Sequence, residues 1–166
     1  MKNIFILVLV SWFAGKANAQ FTKASLEASG LTCSMCTKAV KKALEGVPFI
    51  QEVRVNIKTQ QYELAFKKNV PISFDDIEKA VEDAGYFIAS LKVTGNFDNV
   101  KLQKDAAVKI GEQTLQFVNA DNQILNGERV LTLVDKNFLT PKRFKKYNTI
   151  GNQISAGNVR IYHVII

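Results

Sequence analysis

Ala24, Leu26 and Ala28 alternate with polar neighbours, the period of a half-buried strand, and Gly30 ends the run. From about Ser34 to Glu45 the period changes. Cys36, Val40, Ala43 and Leu44 are spaced for one face of a helix, which Gly46 and Pro48 stop. Val53, Val55 and Ile57 alternate, then Tyr62, Leu64 and Phe66. Lys58-Thr59-Gln60 between them makes the turn of an antiparallel hairpin. Ser73 opens a second helix, with Asp76 completing a capping pair. Ile77, Ala80, Val81 and Ala84 form its apolar face, and Gly85 ends it. Ala89, Leu91 and Val93 alternate as a last strand. The order βαββαβ is that of the ferredoxin-like split fold, in which two helices cover one face of a four-stranded sheet.

Beyond Thr94-Gly95-Asn96, which reads as a link between domains, helical periodicity fades. Short alternating runs recur at Ala107–Ile110, Thr114–Val118, Val130–Val134 and Val159–Ile165. Gly111, Asn119–Asn122, Asn126-Gly127 and Gly151 punctuate them. One helical turn is expected at Thr140-Pro141, where Thr caps and Pro suits the first helical position. The expected fold class is therefore α+β. A ferredoxin-like domain over residues 20–94 precedes a small, mostly β domain over 95–166, an OB-like barrel or a sandwich.

Residues 1–19 have the pattern of a secretory signal peptide. Lys2 opens it, the apolar run Ile4–Val10 follows, and Ala17-Asn18-Ala19 supplies a small-x-small cleavage pattern. The run is short of the roughly 20 apolar residues a membrane helix needs. The expectation is an exported protein, periplasmic or secreted, with no membrane-spanning segment after cleavage.

Charge changes the picture by region. The whole chain of 166 residues carries +7, which falls to +5 when Lys2 and Lys16 leave with the signal. The first domain is near neutral, with ten basic and nine acidic residues. The second has ten basic and six acidic residues and carries most of the excess. Two cysteines exclude a disulfide-rich scaffold and a four-cysteine metal site, and one histidine excludes a multi-histidine centre.

Both cysteines lie in Cys33-Ser34-Met35-Cys36, where the first strand meets the first helix. Two thiols so close can share one ion. A helix N-terminus favours the thiolate. Two sulfurs with no neighbouring histidine or carboxylate form a soft, low-coordinate donor set. It suits Cu(I) over hard ions, with Hg2+, Ag(I), Zn2+ and Cd2+ as further candidates. The same pair also reads as a redox-active dithiol or as an inert disulfide formed on export. Gly-Pro between the cysteines, and an aromatic residue before the first, would mark the thioredoxin type. Here Ser34-Met35 intervenes and Thr32 precedes.

Gly30-Leu31-Thr32-Cys33-Ser34-Met35-Cys36, with Val40 and Ala43-Leu44 after it, resembles the heavy-metal-associated domain. Val53-Arg54-Val55-Asn56 is similar to that family's second strand. Ile77–Tyr86 is similar to its second helix and Gly-Tyr end. The resemblance covers residues 21–93. It implies a βαββαβ fold and a non-enzymatic metal carrier like the copper chaperones, the copper-ATPase amino-terminal modules and a secreted mercury-binding protein. Cys33 and Cys36 would be the metal-binding thiolates, and Tyr86 would lie on a loop facing the site and shield the ion, the alternative being a half-buried core tyrosine. Leu31 stands where the family usually has methionine, a core position in which leucine keeps the packing.

Met35 reads either as a thioether ligand or as a surface side chain of the loop. His163, alone in an alternating strand with no second histidine, reads as a structural or surface residue rather than a ligand. Lys142-Arg143-Phe144-Lys145-Lys146-Tyr147 interleaves charge and aromatics. On a barrel such a run grips single-stranded nucleic acid, but export argues against that partner. The run reads instead as a solvated helix face, or as a dock for an acidic protein or membrane surface. The expected partners are one soft metal ion and a metal-transport or metal-accepting protein, with no nucleic acid. Two alternatives remain in view: a thiol–disulfide redox protein or sensor, and a metal-sensing adaptor whose β domain engages a protein or cell-surface partner.

Overall fold

The computed structural model describes residues 20–31, 33–104, 106–147 and 160–166. The expected signal segment, residues 1–19, lies outside the described residues.

Strand β1 (Gln20–Ser29) leads through Gly30 to helix α1 (Ser34–Glu45), then β2 (Ile50–Asn56), β3 (Gln61–Phe66), helix α2 (Phe74–Asp83) and β4 (Phe87–Leu102). This is the βαββαβ order the periodicity predicts. β3 pairs antiparallel with both β1 and β2, and β1 pairs antiparallel with β4. The alternating residues of the strands meet Val40 and Leu44 of α1, and Phe74, Ile77 and Val81 of α2, in one buried core. Ser73 Oγ accepts from the Asp76 amide at 3.1 Å and so caps α2. At the other end Gly85 N–H donates to Glu82 O at 2.7 Å and Tyr86 N–H to Val81 O at 3.1 Å. Those two bonds are the Schellman closure, which needs Gly85 at φ +86°, a conformation glycine adopts without a Cβ penalty.

The second half departs from the expectation. Thr94-Gly95-Asn96 is no linker: all three residues lie inside β4, and Gly95 and Asn96 pair with Phe21 and Gln20 of β1. β5 (Ala107–Ile110), β6 (Gln113–Phe117), β7 (Gln123–Leu133) and β8 (Ile161–Ile165) then extend the same sheet. Its order is β2-β3-β1-β4-β7-β8-β6-β5, eight strands with β6 and β8 parallel. So the described strands form one open sheet, where a separate barrel or sandwich was expected. The physical cause is β4. Its 16 residues pair with β1 at one end and with β7 along most of the rest, so one strand carries the hydrogen bonding from the first half into the second. Aromatic rings seal the join. Phe74 of α2 stands edge-on to Phe21 at 5.4 Å and to Tyr162 of β8 at 5.1 Å, and Phe138 approaches Tyr162 at 6.1 Å. The turn predicted at Thr140-Pro141 forms as α3 (Pro141–Phe144), with Thr140 Oγ1 accepting from the Arg143 amide. Among the described residues no helix is long and apolar enough to cross a membrane.

Candidate metal centre

Gly30 turns the chain out of β1 at φ +85°. Leu31 then buries its side chain in the core, two residues before Cys33. Cys33 is the N-cap of α1, with extended backbone (φ −146°, ψ 159°), and its Sγ accepts from the Cys36 amide at 3.2 Å. Sulfur here takes the place of the usual serine or aspartate oxygen, satisfying a free N–H of the first turn. Cys33 is exposed; Cys36, one turn in, is half-buried and packs against the core. Their Cα atoms are 5.3 Å apart and the sulfurs are joined as a disulfide. Closed, the pair holds no thiolate. Opened by two electrons, it presents two sulfurs at the positive end of a 12-residue helix, a setting that favours the anionic form. Among the described residues no group of three or more His, Cys, Asp or Glu side chains is placed to hold a metal ion.

Other residues tie the loop to the sheet. Thr37 N–H and Oγ1 both donate to Cys33 O, at 3.2 and 3.4 Å. Gln60, in the β2–β3 turn, donates through Nε2 to Leu31 O at 3.4 Å. Tyr62 of β3, wholly buried, donates its hydroxyl to Thr37 O at 3.2 Å. Sequence reasoning missed Tyr62 and Gln60. Tyr62 leaves a faint signal, a phenol in a strand position whose row is otherwise Leu64 and Phe66.

Residues 25–87 match the heavy-metal-associated domain. The chain is 31% identical over 86 residues to the mercuric transport protein periplasmic component of Serratia marcescens, an overlap of 52% of this chain and 93% of that protein. The chain belongs to the heavy-metal-associated family. It is also 38% identical over 66 residues to copper-transporting ATPase 1 of Rhizobium meliloti (strain 1021), but those residues are 40% of this chain and 8% of that ATPase. Among solved structures, oxidised MerP from Ralstonia metallidurans CH34 is 33% identical with a TM-score of 0.38, covering 42% of this chain and 96% of that one.

Cys33, Met35 and Cys36 all fall within the heavy-metal-associated span, as does Tyr86. The Tyr86 ring is half-buried beside Gly30: a Cβ on that glycine would come within 4.0 Å of Tyr86 Cδ1. Met35 is 71% exposed on the first turn of α1. The basic run lies outside the matched span. Its members divide. Lys142, Lys145 and Lys146 are exposed, whereas Arg143 is engaged within the chain: its guanidinium lies 3.3 Å from Glu27 Oε2 and 3.4 Å from Ala89 O. Glu27 and Ala89 lie near the Gly30 ends of β1 and β4, so α3 is fastened toward the cysteine end of the sheet. His163 is held by Asp135, which takes its amide at 2.8 Å and stands 2.7 Å from Nδ1. That contact occupies the histidine in a structural role.

Proposed function

We propose that this chain is an exported, non-enzymatic carrier of one soft metal ion. Cu(I) is the first candidate, held between the sulfurs of reduced Cys33 and Cys36. One observation carries the reading: both sulfurs sit at the start of α1, one exposed and one half-buried, at a turn that Gln60 and Tyr62 tie to the sheet. Release proceeds by exchange of ligands. An incoming thiolate of an accepting protein bonds to the ion beside the exposed Cys33, Cys33 leaves, a second thiolate enters, and Cys36 leaves last. Sulfur ligation is kept throughout, so no bare ion is set free. Relatives named as a copper-transporting ATPase and a periplasmic mercuric transport component support a soft ion and leave Cu(I) and Hg2+ both in contention. Export rests on the signal pattern of residues 1–19 and agrees with the periplasmic relative.

The test uses residues 20–166, reduced and kept anaerobic, titrated with Cu(I). One tightly bound ion per chain is expected, lost in Cys33→Ser with Cys36→Ser. Tight one-to-one binding retained by that double variant would remove the cysteines from the site. Lys142, Lys145 and Lys146 are assigned to docking an acidic accepting protein. Reversing all three to Glu leaves Cu(I) stoichiometry unchanged in this reading, while slowing transfer to an acidic acceptor at low salt.

The disulfide itself favours a second reading, a thiol–disulfide exchange protein using the same pair. Turnover of a disulfide substrate, together with a reduction potential in the range of catalytic disulfides, would support it over the carrier.

A further inference from the structure

Tyr62, the second residue of β3, belongs to the first half's core, in the row that faces the helices, with no exposed surface. Burying a phenol costs free energy unless the hydroxyl finds a partner. Here the partner is the Thr37 carbonyl, 3.2 Å away. Thr37 follows Cys36 directly, and its amide and hydroxyl both reach back to Cys33 O. The Tyr62 hydroxyl is thus bonded to the residue that spans the Cys33–Cys36 turn from behind. Burial pushes the phenol above its ordinary range, so it remains a donor at neutral pH.

Closing the ring between the two sulfurs, by an S–S bond or by a shared ion, requires the first turn of α1 to be ordered. With the disulfide open, that order rests on non-covalent ties. We propose that Tyr62 is a positioning residue for the dithiol: its hydrogen bond to Thr37 holds the first turn of α1 against the sheet and so prearranges both sulfurs. Hydrogen bond and ring closure are then coupled, each favouring the other. For the metal this rests on the carrier reading above; for the disulfide it does not.

The test compares residues 20–166 with the Tyr62→Phe variant, which loses one oxygen from an otherwise retained ring. Three quantities are read: Cu(I) affinity of the reduced protein against a bathocuproine disulfonate competitor, the reduction potential of the Cys33–Cys36 couple without metal, and the melting midpoints of both redox forms. The potential is set by a dithiothreitol buffer, which gives two electrons and two protons to the protein disulfide and becomes its own cyclic disulfide. Loss of the bond should weaken Cu(I) binding about fivefold. The disulfide should become easier to reduce by a similar factor, roughly 20 mV for a two-electron couple. The oxidised form, in which the bond is fully made, should lose more thermal stability than the reduced form. Equal losses in both forms, unfolding included, or affinity and potential both unchanged, mean that the hydroxyl serves the fold alone and overturn the proposal. If the unsubstituted protein binds no Cu(I), the carrier reading fails by itself, and the potential decides: a shift sustains the role of Tyr62 and no shift ends it.

Discussion

Phe74→Ala is the substitution that most sharply separates one continuous core from two domains side by side. Phe74 opens α2 and is wholly buried, and its ring joins Phe21 of β1 to Tyr162 of β8. Removing a buried phenyl ring costs roughly 3–5 kcal/mol, from lost burial plus the cavity left behind. Taking about 4 kcal/mol, and about 3 °C per kcal/mol for a chain of this size, the melting midpoint should fall by roughly 12 °C. That is a large share of the roughly 5–15 kcal/mol that holds an ordinary domain folded. The informative readout is where protection is lost. Amide hydrogen exchange is followed at Tyr62 and Leu64 in β3 and at Leu115 and Phe117 in β6, beside calorimetry. Both strands should lose protection by the same free energy, in one transition. If β3 weakens while β6 keeps its protection, and two transitions separate, the halves are independent units and the shared core is wrong.

Burial lifts the Glu78 carboxyl to about 7, with Glu82, one helical turn on, pushing the same way. Its folded value exceeds its unfolded one, so its contribution is favourable at low pH and is lost as pH rises through about 7. Stability should therefore fall between about pH 4.5 and 7 and level off above, and Glu78→Gln should flatten that fall in pH-dependent melts. Gly85→Ala forces an L-residue to hold φ +86° and should cost about 1–2 kcal/mol by denaturant titration, although no atom obstructs the new methyl. Leu31→Met nearly conserves volume at a buried site and should cost under about 1.5 kcal/mol, with Cu(I) stoichiometry unchanged.

The first half was legible because its physics is local. Val53 on one face of β2, and Ile77 and Val81 on one face of α2, announce their elements by period alone. Gly85 announces a helix end, and Cys33 and Cys36 stand together in the chain as they do in space. The second half was legible in its strands and opaque in its assembly. Thr94-Gly95-Asn96 has the composition of a linker, yet Gly95 pairs with Phe21 and Arg129 inside β4, and the position is glycine because the strand is crowded there: a Cβ would come within 3.1–3.2 Å of the Phe21 and Phe97 rings. Asn126-Gly127 has the look of a turn, yet it lies within β7 opposite an irregularity between Phe97 and Val100, where Asn126 Oδ1 takes the Asn99 amide. The parallel pairing of β6 with β8 joins segments more than forty residues apart, and no alternation of side chains encodes it. The same distance hid Tyr62 from the site, since its partner Thr37 lies 25 residues away in the chain.

On the proposed function, Cys33 and Cys36 carry one soft ion only as an open pair. Its most direct test is the metal retained by residues 20–166 after Cu(I) loading and desalting, on oxidised and reduced samples prepared side by side. One copper per reduced chain and none per oxidised chain is the expected result. Copper retained equally by the oxidised form would contradict it and place the ion elsewhere in the molecule.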